Sequence, residues 1–187
     1  MAMPTAIDGR AAIQSSLVRS WGLEGYVRIQ RTVRGTDVSS DANYQRFYNR
    51  FYRVRRNAEW QSRYYAIMER EKANPSTAFG DVLREMHELT GNVEASFTSK
   101  MIATLHPDKP IWDSLVLARL GLRLKGTTAQ AKPENAVEVY GEIVSWYETY
   151  LATYDAEKNI RLFDELLPTY ARLTPVKKVG FLLWSER

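Results

Sequence analysis

Apolar residues recur three and four positions apart along almost the whole chain, and strict alternation is confined to a short stretch near Tyr26 to Val33. This spacing predicts a mostly helical protein. Residues 1–20 accommodate one helix with Ile13, Leu17 and Trp21 on a common face. Gly22, Gly25 and Gly35, together with the Val27–Ile29 alternation, predict that Gly22 to Asp37 is a connection containing a short extended piece. Ser39, Ser40 or Asp41 then caps a helix whose buried stripe is Tyr44, Phe47, Tyr48, Phe51 and Val54. Trp60, Tyr64, Ile67 and Met68 keep the same period, either in that helix or after a bend near Asn57.

The pattern stops at Asn74-Pro75-Ser76, because proline disfavours helical geometry in the residue before it. The next helix carries Phe79, Val82, Leu83, Met86 and Leu89 and ends near Thr90-Gly91. Another runs from Val93 to Leu105, where His106-Pro107-Asp108-Lys109-Pro110 reads as a proline-rigid loop with a polar tip. Asp113 begins a short helix through Leu120, and the polar linker Gly121 to Lys132 leads to the longest amphipathic stripe, Ala136 to Leu151, with Pro133 in its first turn. Helices around Ile160 to Leu167 and from Thr174 through Trp184 close the chain, with Trp60, Trp146 and Trp184 as core anchors. The expected fold class is all-α: a single compact bundle of about eight helices over residues 1–187, any subdivision falling near 121–133.

Composition narrows the chemistry. The chain has 187 residues and no cysteine, which removes disulfides, thiolate zinc sites, iron–sulfur clusters and cysteine nucleophiles. His87 and His106 are the two histidines, too few for a multi-histidine centre, so neither a metal site nor a cofactor is expected. No apolar run reaches the length of a membrane span and the N-terminus lacks a secretory pattern, so the expectation is a soluble, cytoplasmic protein without a membrane partner.

Charge distribution says more than its sum. The 26 Lys+Arg exceed the 22 Asp+Glu by four, yet Arg46, Arg50, Arg53, Arg55, Arg56 and Arg63 fall in one region where Glu59 is the lone acid. Arg46, Arg50 and Arg53, three and four apart, predict a ridge able to grip phosphates bidentately. Interleaved Tyr44, Tyr48, Tyr52 and Tyr65 would stack on bases if exposed. The same spacing also describes a solvated basic face over an aromatic core. Near the C-terminus, the basic pair Lys177-Lys178 follows a capped helix start at Thr174-Pro175, where it contacts phosphate or faces water.

The run from Leu89 to Val116 holds the most structured motif. Thr90-Gly91-Asn92 reads as a hairpin between helices, since Gly and Asn tolerate the left-handed backbone of such turns. Asp113 precedes Ser114, Leu115 and Val116 as an N-cap. This segment, over roughly residues 80–123, resembles the helix–hairpin–helix DNA glycosylase superfamily, and the 8-oxoguanine DNA glycosylases within it. Leu89-Thr90-Gly91-Asn92-Val93-Glu94 looks like the family hairpin with one inserted residue, Ile111-Trp112-Asp113 like the segment ending in the essential aspartate, and Leu120-Gly121 like the ending that follows it. Glu94 replaces the second hairpin glycine, and Ser96 falls where lyase-competent members carry their lysine, so that Lys100 takes that role in a register shifted by one turn.

The resemblance implies a DNA N-glycosylase, a hydrolase of DNA repair, with Asp113 and Lys100 as catalytic residues. It also implies nucleic-acid contacts at Gly91 and Asn92, beside the arginine ridge of Arg46, Arg50 and Arg53. A reading from another class stays open, a non-catalytic helical interaction module in which Asp113 is a plain cap and Lys100 a snorkelling lysine, and an inactive descendant of the glycosylase fold lies between the two.

Overall fold

Short polar side chains start several helices close to where the sequence places them, by accepting from backbone N–H groups that the first turn leaves unpaired. Asp41 accepts from Asn43 N and Tyr44 N, Asn57 from Trp60 N and Asp113 from Leu115 N. Thr153 accepts from Ala156 N and starts its helix at Tyr154, earlier than the expected Ile160. Left-handed residues end others: Arg53, Gly91 and Gly121.

The structure is a computed structural model that describes residues 6–17, 21–124 and 131–185. Every regular element among these residues is helical. In chain order they are α1 (Gly9–Leu17), α2 (Trp21–Thr32), α3 (Ala42–Tyr52), α4 (Ala58–Glu71), α5 (Phe79–Thr90), α6 (Ala95–Leu105), α7 (Ser114–Leu120), α8 (Ala131–Leu151), α9 (Tyr154–Leu166) and α10 (Pro175–Ser185). Short 3-10 turns stand at Val33–Gly35 and Pro168–Tyr170. None of these helices is long and apolar enough to cross a membrane.

Among the described residues ten helices replace the expected eight or so, and one cause is clear. The segment expected to be a connection, Gly22 to Asp37, begins with the helix α2. Gly22 and Gly25 do not interrupt that helix, and Gly25 lets α3 come close. A Cβ on Gly25 would lie 2.6 Å from the Phe51 ring, and one on Gly22 would meet Phe181 at 3.8 Å. Leu23, Tyr26, Ile29 and Val33 are buried at helical spacing.

Two apolar clusters form the core. One draws Ile13, Leu83, Ile143, Tyr147, Phe163, Val179 and Leu182 from α1, α5, α8, α9 and α10. The other joins Ile29, Tyr48, Tyr64, Tyr65, Met68, Met86 and Met101 from α2 to α6. α5 serves both, turning Phe79 and Leu83 to the first and Val82 and Met86 to the second. The interleaved tyrosines are therefore core, not stacking platforms. Tyr44, Tyr48, Tyr52 and Tyr65 are buried, Tyr48 OH lies 2.8 Å from Tyr64 OH, and Tyr64 OH donates to Phe97 O at 2.9 Å.

Several smaller expectations change. Leu89 is exposed rather than on the buried stripe of α5. Trp60 is buried as expected, whereas Trp146 and Trp184 are half-buried. The side chains of Leu17 and Trp21 lie outside the described ones, as do residues 125–130 of the polar linker.

Candidate active site

The site is built on α6 and the start of α7. Lys100 projects from α6, and its neighbour Ser99 is fully buried. Ser99 Oγ donates to Ser96 O at 3.0 Å and accepts from Trp112 N at 2.9 Å. That bond ties the helix carrying Lys100 to the residue before Asp113. Asp113 Oδ1 accepts from Leu115 N at 2.8 Å, which orients its carboxyl at the head of α7.

The loop between them is anchored by its carbonyls. Pro107 O accepts from Thr174 Oγ1 at 2.7 Å, Lys109 O from Lys177 Nζ at 3.3 Å and Pro110 O from Tyr140 OH at 2.9 Å. Donors from α8 and from the start of α10 thus hold the loop that the sequence marked as proline-rigid.

Lys100 and Asp113 both line one cavity of about 900 Å³. Arg50 and Arg53 line it from the end of α3, Tyr26 from α2, and Lys177 and Trp184 from α10. The cavity is large enough for a nucleoside-sized ligand. Its titratable cations outnumber the single carboxylate, Asp113. A second cleft, about 670 Å³ between residues 6–10 and α9, is lined by Asp8, Arg10, Lys158, Arg161 and Glu165, three cations against two carboxylates, without a comparable convergence.

Burial pushes the Lys100 ammonium below the usual lysine range, Asp113 pulls it back up, and Arg53 pushes it down again. Its Nζ stands 5.0 Å from the Phe97 ring and 5.8 Å from the Tyr52 ring, so aromatic faces supply part of the solvation that burial removes.

The arginines expected as a ridge are divided by the fold. Arg53 has left the helix: it is the left-handed residue after α3, with φ 54° and ψ 43°. Arg46 is exposed and bonds Asn43 Oδ1 at 2.5 Å, and it does not line the cavity. Arg56 pairs with Glu94 at 2.9 Å, and Arg63 with Glu59 at 2.6 Å.

Gly91 and Asn92 lie outside the cavity lining, exposed in the turn between α5 and α6, where Gly91 has φ 70°. The carboxylate of Glu94 faces inward. It is buried, accepting from Arg56 Nη2 at 2.9 Å and from Trp60 Nε1 at 3.1 Å.

Tyr26 and Lys177 line the cavity and escaped the sequence reading of the site. Tyr26 sat in a segment taken for a connection. Lys177 was seen as one of a basic pair meeting phosphate or water, yet both lysines are buried. The available signal was two adjacent lysines in an otherwise apolar helix. Comparison with family models, curated proteins and solved structures finds no match for this chain.

Proposed function

We propose that the protein binds DNA and cleaves an N-glycosidic bond, as a glycosylase of the helix–hairpin–helix type that excises an oxidised or alkylated base. The observation that supports this reading is the convergence of Lys100, Asp113, Arg50 and Arg53 on one cavity of nucleoside size. A glycosidic bond inside the base stack is out of reach, so the nucleotide must swing out of the duplex. The arginines supply cations for flanking phosphates. As the base departs with the bonding electron pair, positive charge grows on the sugar, and the Asp113 carboxylate stabilises it.

The lowered pKa of Lys100 enlarges the share of free amine, whose lone pair adds to the sugar carbon that the base leaves. The adduct gives one N–H proton to the departed base and the other to the ring oxygen, whose bond to that carbon breaks, and the resulting imine permits strand cleavage by elimination. Because Glu94 is taken up by Arg56 and Trp60, the α5–α6 turn offers exposed Gly91 and Asn92 to a phosphate with the Glu94 carboxylate buried.

Duplexes carrying single oxidised or alkylated bases, incubated with the protein, test the proposal. Excision of at least one lesion is expected. Asp113→Asn keeps the cap, since asparagine caps as well as aspartate, and so leaves the thermal midpoint nearly unchanged while cutting the rate by about a hundredfold or more. Release of no base from any duplex, or equal rates for wild type and Asp113→Asn, overturns the enzymatic reading. Salt-dependent DNA binding that persists without excision is the signature of the inactive descendant, and binding that is flat with salt points to the interaction module.

A further inference from the structure

α10 carries Lys177 and Lys178 side by side, buried to 9% and 4% exposure. Neighbours on a helix point about 100° apart, so the two amines meet different surroundings. Lys178 Nζ finds a carboxylate, Asp164 Oδ1 at 2.5 Å, beneath the Phe163 ring. Lys177 forms no ion pair among the described residues. Its Nζ donates one 3.3 Å hydrogen bond to Lys109 O and stands 5.3 Å from the Tyr26 ring. A fully charged ammonium so placed would be under-solvated for its depth.

We propose that Lys177 is a carbonyl-reactive amine, and that the cavity it lines takes a phosphate-bearing aldehyde as a protein-bound imine. Burial brings its pKa down to about 7, against the opposing pull of Asp108 on the 106–110 loop. Near neutral pH a substantial share therefore carries a free lone pair, as in lysines activated by an apolar setting. The lone pair adds to the aldehyde carbon and the carbonyl oxygen gains a proton. That oxygen then departs as water while the C=N bond closes, the two amine hydrogens balancing those of the water. No oxidant or reductant takes part. Arg50 and Arg53 line the same cavity and favour an aldehyde that carries a phosphate or phosphodiester.

Such an aldehyde has two sources, a free sugar phosphate and the ring-opened sugar of an abasic nucleotide. The inference does not require the glycosylase reading, because a free sugar phosphate satisfies it.

The test is reductive trapping on the wild-type chain, with cyanoborohydride and either glyceraldehyde 3-phosphate or an abasic oligonucleotide, followed by peptide mapping. Lys177 is expected to label at least about tenfold faster than the median lysine in one arm or both, and the arm identifies the source. Its labelling should be half-maximal near pH 7, whereas surface lysines continue to gain well above that. Lys177→Arg, which keeps the charge, should lose the adduct in the sugar phosphate arm. Even labelling of all lysines, or labelling centred on Lys100 with Lys177 bare in both arms, overturns the proposal. Because the sugar phosphate arm contains no DNA, its result is separable from that of the lesion assay.

Discussion

Arg53 occupies a backbone position that most helices give to glycine. With φ 54° and ψ 43° it is left-handed, and an L side chain there costs about 1 kcal/mol or more. The helix C-cap alone does not require arginine; a guanidinium at the cavity does. Arg53→Gly should therefore raise the unfolding free energy by about 0.5 kcal/mol while weakening DNA affinity and lowering its salt slope by about one counterion. Urea melts and binding titrations at several salt concentrations measure both; a variant that is less stable yet binds as before would refute the trade. The same scale explains why the residue types of Glu94 and Lys177 do not predict their surroundings. A glutamate in a turn and a lysine pair at a helix start ordinarily face water, and here both side chains are drawn inward by partners remote in sequence, Arg56 and Trp60 for one and the Lys109 carbonyl for the other.

At the scale of elements, α2 is the instructive case. Glycine disfavours helix by up to about 1 kcal/mol relative to alanine, and the sequence reading gave that preference priority over the Leu23, Tyr26, Ile29 and Val33 stripe. Packing reverses the weighting: the missing Cβ of Gly25 admits the Phe51 ring, itself part of the cavity wall. Gly25→Ala should cost about 1 kcal/mol in the wild type, the clash exceeding the propensity gain. In a Phe51→Ala background the same substitution should stabilise by about 0.5 kcal/mol. Chemical denaturation of the four variants decides it, and an unchanged sign in both backgrounds would remove close approach as the reason for Gly25. By contrast, α3, α4, α5 and α7 were legible, because caps and apolar period are local properties that agree with the packing around them, whereas α9 starts at Tyr154, well before the expected Ile160.

For the molecule as a whole, buried titratable groups set the pH dependence. Below about pH 7 Lys177 is charged in both states, so its burial penalty is fully present. Between that value and the ordinary 10.5 the unfolded chain holds a proton that the folded one lacks, and stability rises with pH. Lys100 acts in the same direction. Above about pH 10 the sign reverses. Burial raises Tyr26, Tyr44, Tyr65, Tyr140 and Tyr147, so the folded state keeps protons that the unfolded state loses. Stability should peak between these limits. Lys177→Met should be more stable than wild type by about 2 kcal/mol near pH 6, with the advantage shrinking toward pH 9. Urea midpoints across that range report the difference, and a constant offset would show that Lys177 keeps its charge when folded.

The sequence by itself determined the helical class, most helix limits, the α5–α6 turn and the pairing of Lys100 with Asp113 as candidates. These rest on spacing and capping, which act within a few residues. The tertiary structure decided that Lys100, Asp113, Arg50 and Arg53 share a cavity, that Arg46 stands apart from it, and that, among the described residues, Lys178 rather than Lys177 forms an ion pair. Burial and ion pairing are settled by groups brought together across the chain: the carbonyl that meets Lys177 lies 68 residues before it. Local periodicity shows that α10 will be buried; only the arrangement of its neighbours determines which of its two amines meets a carboxylate and which meets the cavity.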